Sequence, residues 1–332
     1  MKKFLSFLLC AAMAVTLFAV STNETKAEED ELRVALCIAE TLGDLGFYDS
    51  ANEGLQRLVD DYGVVGSVVE CKSDASMYQL ALVEAAEAND IVVAVGWQFW
   101  DGLDVVAPQM PDTKFIFIDN GLDYIENIMS ITYAENEGSF LVGYIAMKLS
   151  ENGMVGVIGG ENSDTINNFI VGYRQGALYA NPEGTVLDPV YTDDYEAPDK
   201  GKEAALSLYG QGADVVYAVA GKTGLGVFEA AAEQGKYAIG VDSDQKYINP
   251  DVIVCSMLKN VGESLYVAVE EYLETGAFQG GAIWDAGMST GLVDVGYGDE
   301  TMAQQVSDEL KAEVEAIKEQ IMSGDIVVES TR

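Results

Sequence analysis

Histidine is absent from this 332-residue sequence. Its absence removes imidazole acid–base chemistry, Ser-His-Asp triads, Cys-His pairs and His-ligated metals together. Cations are scarce, with Lys plus Arg at 18 against 55 Asp plus Glu and a formal net charge of −37. Such a chain repels phosphate backbones and anionic lipid surfaces, so no nucleic-acid partner is expected. The four cysteines, Cys10, Cys37, Cys71 and Cys255, show no CxxC spacing, so zinc and dithiol redox motifs are missing. Cys37 and Cys71 fall at the ends of neighbouring predicted strands and are either a disulfide or two small buried hydrophobes. After residue 20 no run reaches 18 uncharged apolar residues, so no later membrane span is expected.

What is present is globular: 49% apolar and 22% charged residues, enough to bury a core. The first residues are Met1, Lys2 and Lys3, followed by an apolar run over 4–20. This reads as a secretory signal, with Thr25 and Ala27 fitting cleavage after residue 27 and an uncleaved anchor as the alternative. Cleavage removes three cations and one anion, leaving −39. Residues 28–31 form a flexible lead-in.

From residue 32 onward, apolar β-rich runs alternate with helical patterns. Strands are predicted at 32–38, 64–70, 91–95, 114–119, 128–132, 154–158, 186–191, 214–220, 237–241 and 252–256. Most are continuously apolar, which indicates strands covered on both faces. Helices are predicted at 49–62, 73–88, 135–149, 165–180, 200–209, 224–234 and 302–322. This alternation gives an α/β fold with parallel sheets and right-handed crossovers. The strands are too many for one small sheet, so two doubly wound, Rossmann-like lobes are expected. The first lobe comprises 32–133 plus about 257–289, and the second 134–256 plus about 290–330.

Several strand ends carry candidate binding groups. Gly221-Lys222-Thr223 follows a strand, but the glycine a P-loop needs five positions earlier is Val216, so phosphate wrapping is excluded. What remains is a glycine-rich turn that either admits a ligand to bare backbone or is merely tight. Gly159-Gly160 is a similar turn, read as close packing. Asp242 ends a strand and is either an acceptor for ligand hydroxyls or a helix N-cap. Asp119 carries the same ambiguity. Lys259 would donate to a ligand oxygen at a cleft, or be an ordinary solvated charge at the surface. Phe47, Trp97, Phe99, Trp100 and Tyr195 all sit in loops after strands, where aromatic rings either wall a planar ligand or pack against the loop.

Seven segments then resemble a known family in order and spacing: 43–54 (GDLGFYDSANEG), 137–143 (EGSFLVG), 155–160 (VGVIGG), 200–204 (KGKEA), 212–215 (GADV), 221–227 (GKTGLGV) and 238–245 (AIGVDSDQ). They resemble the basic membrane protein family of ABC-transporter substrate-binding lipoproteins, which bind purine nucleosides on a type I periplasmic-binding fold. The resemblance implies that Phe47 stacks on the base, with Tyr195 near a second stacking position. It implies that Asp242 accepts from ribose hydroxyls, Lys259 donates to them, and the Gly221 turn contacts the sugar through backbone. Asp119 lies near the family's base-reading acid. The chain departs from the family at Asp44-Leu45-Gly46-Phe47-Tyr48, where Asp-Lys-Ser-Phe-Asn is usual. It departs again at Ile38 and Ala39, where polar base-readers are frequent, and at Ala19-Val20-Ser21-Thr22, where the lipoprotein cysteine would stand.

The expected function is therefore an exported substrate-binding protein that captures a nucleoside and serves an ABC permease. It would have no catalytic residue, no cofactor and no metal, and would be a monomer at the outer face of the cell membrane. A sugar binder or sensor of the same fold is the second reading, and a carboxylate-based nucleoside hydrolase the third.

Overall fold

The structure, a computed structural model, describes residues 31–331. The expected signal and its cleavage site fall outside the described residues. Within β1 (Arg33–Ile38), every residue after Arg33 is fully buried, because the strand is covered by helices on both faces. The same holds for β3 (Ile91–Val95) and nearly so for β4 (Lys114–Ile118). With β2 (Val65–Glu70), β5 (Ile128–Tyr133) and β12 (Ala282–Ala286) these build one six-stranded, all-parallel sheet in the order β12-β5-β4-β3-β1-β2. Helices α1 (Phe47–Tyr62), α2 (Ala75–Ala88) and α3 (Trp100–Val106) connect its strands.

The second sheet has the order β13-β11-β10-β9-β6-β7. It contains β6 (Met154–Gly159), β7 (Thr185–Val186), β9 (Val215–Val219), β10 (Tyr237–Asp242), β11 (Ile253–Lys259) and β13 (Val293–Gly296), with β8 (Val190–Tyr191) paired to β6. Strand β13 runs antiparallel, an exception to the expected parallel order. Helices α4 (Glu135–Leu149), α5 (Asp164–Ala180), α6 (Pro198–Gly210) and α7 (Leu225–Gln234) cover this sheet, while α8 (Val261–Thr275) returns to pack on α1. The last helix is α9 (Asp308–Ser323).

Three connections pass between the sheets: β5 to α4, β11 to α8, and β12 to β13. They lie side by side, tied by Ala134 N–H to Ala286 O at 2.8 Å and Asn260 N–H to Leu292 O at 2.9 Å. Strand β11 continues through Lys259, so Met257–Lys259 belong to the second sheet rather than the first half, where the sequence boundary put them.

Other differences have local causes. The single strand predicted over 186–191 is two short strands, because Pro189 lacks the N–H a ladder needs. The last helix begins at Asp308 rather than 302, because the Ser307 hydroxyl caps it by accepting from Leu310 N–H. Strand β12 and helices α3 and α8 were not predicted. Cys37, Cys71 and Cys255 are all buried and free, so no disulfide joins the first two.

Candidate functional site

The carboxyl ends of both sheets meet at one cavity, which holds about 580 Å³ of non-atom space, part of it open to solvent. Phe47, Trp97, Asp119, Tyr195, Gly221, Asp242 and Lys259 all line it. The fold brings together seven residues separated by up to 212 positions because each ends or follows a strand, and parallel strands end on the same side.

At its centre is Lys259, the last residue of β11, with its side chain 3% exposed. Its ammonium donates to Asp119 Oδ1 at 3.1 Å. It also lies 3.3 Å from Asp242 Oδ1, at an angle outside hydrogen-bond geometry. Three aromatic faces enclose the same ammonium: Phe47 at 4.3 Å to the ring centroid, Phe169 at 5.0 Å and Tyr133 at 5.5 Å. Burial alone would lower the lysine pKa, but Asp119, Asp242 and Glu135 outweigh it and hold it above the ordinary range. Burial raises the Asp242 carboxyl, Lys259 opposes that rise, and Asp119 adds to it.

Both carboxylates occupy left-handed backbone, with φ of 80° at Asp119 and 65° at Asp242. Asp tolerates this region better than most residues, and the turn aims each side chain back over its strand end. Asp242 is not an N-cap: that role falls to Asp244, whose side chain accepts from Lys246 N–H. Lys259 is not a solvated surface charge: it is buried and lines the cavity. Asp119, which the family resemblance put near the base, is bonded to the ammonium assigned to the sugar.

Backbone shape sets the aromatic walls. Tyr195 lies flat against Gly160, where a Cβ would fall 2.0 Å from Tyr195 Cε1. Gly221 opens the short 3-10 turn Gly221–Gly224 with a φ of +52°. Phe99 is fully buried core, whereas Trp100 is partly exposed on α3 and lines no part of this cavity.

A family model described as ABC transporter substrate-binding protein, PnrA-like, matches residues 31–332. The chain belongs to this family, Bmp. Basic membrane protein A of Borreliella burgdorferi is 31% identical over 305 residues, covering 90% of this chain and 88% of the relative. Basic membrane protein A of Borreliella afzelii is 30% identical over 316 residues, covering 94% and 95%. A solved ABC transporter solute-binding protein from Aeropyrum pernix K1 superposes with a TM-score of 0.78 at 28% identity, covering 89% of this chain and 92% of that one. A second, from Conexibacter woesei, has a TM-score of 0.72 at 23% identity, which speaks to the fold alone. The architecture is the type I periplasmic-binding fold, and the Bmp family is one of substrate-binding proteins rather than enzymes.

Several lining residues of this Bmp-family cavity were not singled out from the sequence. Asp44 accepts from the N–H groups of Gly46, Tyr48 and Asp49 and so fixes the start of α1 beneath Phe47. Burial nevertheless pushes its carboxyl up to about 7, against those lowering bonds. Phe169 sits on α5 and reads in sequence as ordinary core spacing. Glu196 and Lys222 join Thr41 across the mouth. Thr41 N–H and hydroxyl donate to Glu196 at 3.1 and 2.9 Å, and Lys222 donates to Glu196 at 3.1 Å. Glu40 and Gln98 also line the cavity. Their only sequence signal was position, two and three residues beyond the ends of β1 and β3.

Proposed function

We propose that this protein is the extracytoplasmic receptor of an ABC importer and captures a nucleoside in the cavity between its two sheets. The observation that carries this reading is the Asp119–Lys259–Asp242 arrangement, buried beside the Phe47 ring in a cavity also walled by Trp97 and Tyr195. A buried ammonium between two acids presents both donor and acceptor capacity to vicinal hydroxyls. Aromatic rings on the same cavity suit a flat base. Membership of a substrate-binding family supports the transport role, and the resemblance of the seven sequence segments supports the choice of nucleoside.

In this reading Phe47 and Tyr195 stack, Trp97 closes the wall, and the Gly221 turn lets the sugar approach backbone. The two lobes close about the three connections near residues 134, 260 and 287. The closed form then docks on a membrane permease. No reaction is catalysed and no cofactor is required.

The test is native mass spectrometry of protein purified without added ligand, followed by calorimetric titration with purine nucleosides, pyrimidine nucleosides, ribose and hexoses. A co-purifying nucleoside, or a purine nucleoside bound far more tightly than any free sugar, is expected. Tight hexose or ribose binding with no nucleoside binding overturns the reading.

A further inference from the structure

Among the described residues, six buried side-chain polar atoms have no hydrogen-bond partner, and four of them belong to residues lining the cavity. Two of these four, Glu40 Oε2 and Gln98 Oε1, are on side chains bonded to each other: Gln98 Nε2 donates to Glu40 Oε1 at 3.2 Å. Adjacent strands make them neighbours. β1 pairs with β3 so that Ile38 faces Val95, and the two side chains emerge just beyond that pair. Their mutual bond uses one of the two Gln98 amide N–H groups and, with Glu40 ionised, leaves Glu40 Oε2 and Gln98 Oε1 as two acceptors side by side. A buried acceptor without a donor is costly, so this edge selects for what would satisfy it.

Charge points the same way. Five carboxylates line the cavity against Lys222 and Lys259. Lys222 is paired with Glu196, and Lys259 with Asp119 and Asp242. Glu40 is only 4% exposed and has no ion-pair partner among the described residues. Glu40, Gln98, Trp97 and Tyr195 also line a second, larger chamber that carries Asp101, Glu161, Asp193 and Asp194. The pair therefore stands at the partition between the ring-lined cavity and an acidic chamber.

We propose that Glu40 and Gln98 determine specificity by accepting from two adjacent N–H donors on one ring edge, the ring N–H and exocyclic amine of a guanine-type base. This rests on the nucleoside reading above. Adenine offers an amine beside a ring acceptor, and hypoxanthine offers the ring N–H without the amine, so each leaves one of the two oxygens unsatisfied. Burial and the facing carboxylates of Glu196, Glu161 and Asp44 push the free Glu40 carboxyl up to about 8. Accepting two donors requires the ionised form, so binding at neutral pH releases a proton from Glu40.

The experiment is titration calorimetry of the wild type with guanosine, inosine and adenosine at pH 7, in two buffers of different ionisation heat. Guanosine is expected to bind about 10- to 100-fold more tightly than inosine and to release a proton on binding. In Glu40→Gln the guanosine-to-inosine ratio should fall to within about threefold, and the proton release should vanish. Gln98→Met, which keeps the carboxylate, should narrow the ratio while retaining proton release. Equal wild-type affinities for guanosine and inosine overturn the proposal and leave nucleoside capture standing. Failure of every nucleoside to bind overturns both. The wild-type ratio decides the matter even if a variant does not fold.

Discussion

Lys259 shows how one side chain is held charged in a place that disfavours charge. An ammonium with almost no solvent contact persists because two carboxylates and three ring faces surround it. Lys259→Met would leave Asp119 and Asp242 facing each other without a cation. We expect a loss of about 3–5 kcal/mol of stability, read from urea unfolding, because breaking a buried pair strands the remaining charge. Asp242→Ala leaves Asp119 to neutralise the lysine, so folding should survive. Ligand affinity should fall by about 10- to 100-fold in calorimetry, the cost of one buried charge-assisted bond. Unchanged affinity would remove Asp242 from the binding site. The sequence made Asp242 and Lys259 visible as polar residues at strand ends. It did not reveal Phe169 or Glu40, because a helical phenylalanine looks like core and a lone glutamate looks like surface.

At the level of elements, the cavity depends on how closely α1 can be held. Gly54 on α1 meets Gly262 on α8, and a Cβ at residue 54 would fall 2.3 Å from the Gly262 carbonyl oxygen. No rotamer relieves a backbone contact of that kind. Gly54→Ala should therefore push α1 away from α8 and cost about 1–3 kcal/mol in thermal or urea unfolding. Because Asp44 and Phe47 sit at the start of α1, ligand affinity should weaken as well. Strands with continuous apolar runs were legible from their residues alone. Helix α8 and strand β12 were not; in β12 only Ala286 is buried, so the strand carries no continuous apolar run.

At the scale of the whole molecule, a hydrogen-bonded contact joins the two halves. Thr41 comes from the first half, Glu196 and Lys222 from the second, and together they clasp the cleft mouth. Glu196→Ala removes the shared acceptor. Small-angle scattering of the ligand-free variant should give a larger radius of gyration than the wild type, with the difference shrinking when ligand binds. Buried Glu40 and Asp44 have carboxyls raised from ordinary values of 4.5 and 3.8 to about 8 and about 7. Between those limits the folded state binds more protons than the unfolded one, so their contribution to stability falls as pH rises. Denaturation at pH 5 through 8 should find the wild type losing stability relative to Glu40→Gln as the pH increases. A constant difference would show that Glu40 titrates normally.

Residue order alone determined the alternating α/β pattern, the two-sheet architecture, the likeness to the Bmp family and seven residues that line one cavity. These follow from local apolar periodicity and from motifs confined to short segments, which need no knowledge of distant neighbours. Only the tertiary structure decided that Lys259 joins Asp119 to Asp242, that Tyr195 lies against Gly160, and that Glu40 faces Gln98. Those contacts span from 17 positions, for Lys259 and Asp242, to 140, for Lys259 and Asp119. Their energy depends on which strand ends become neighbours and on how completely water is excluded between them.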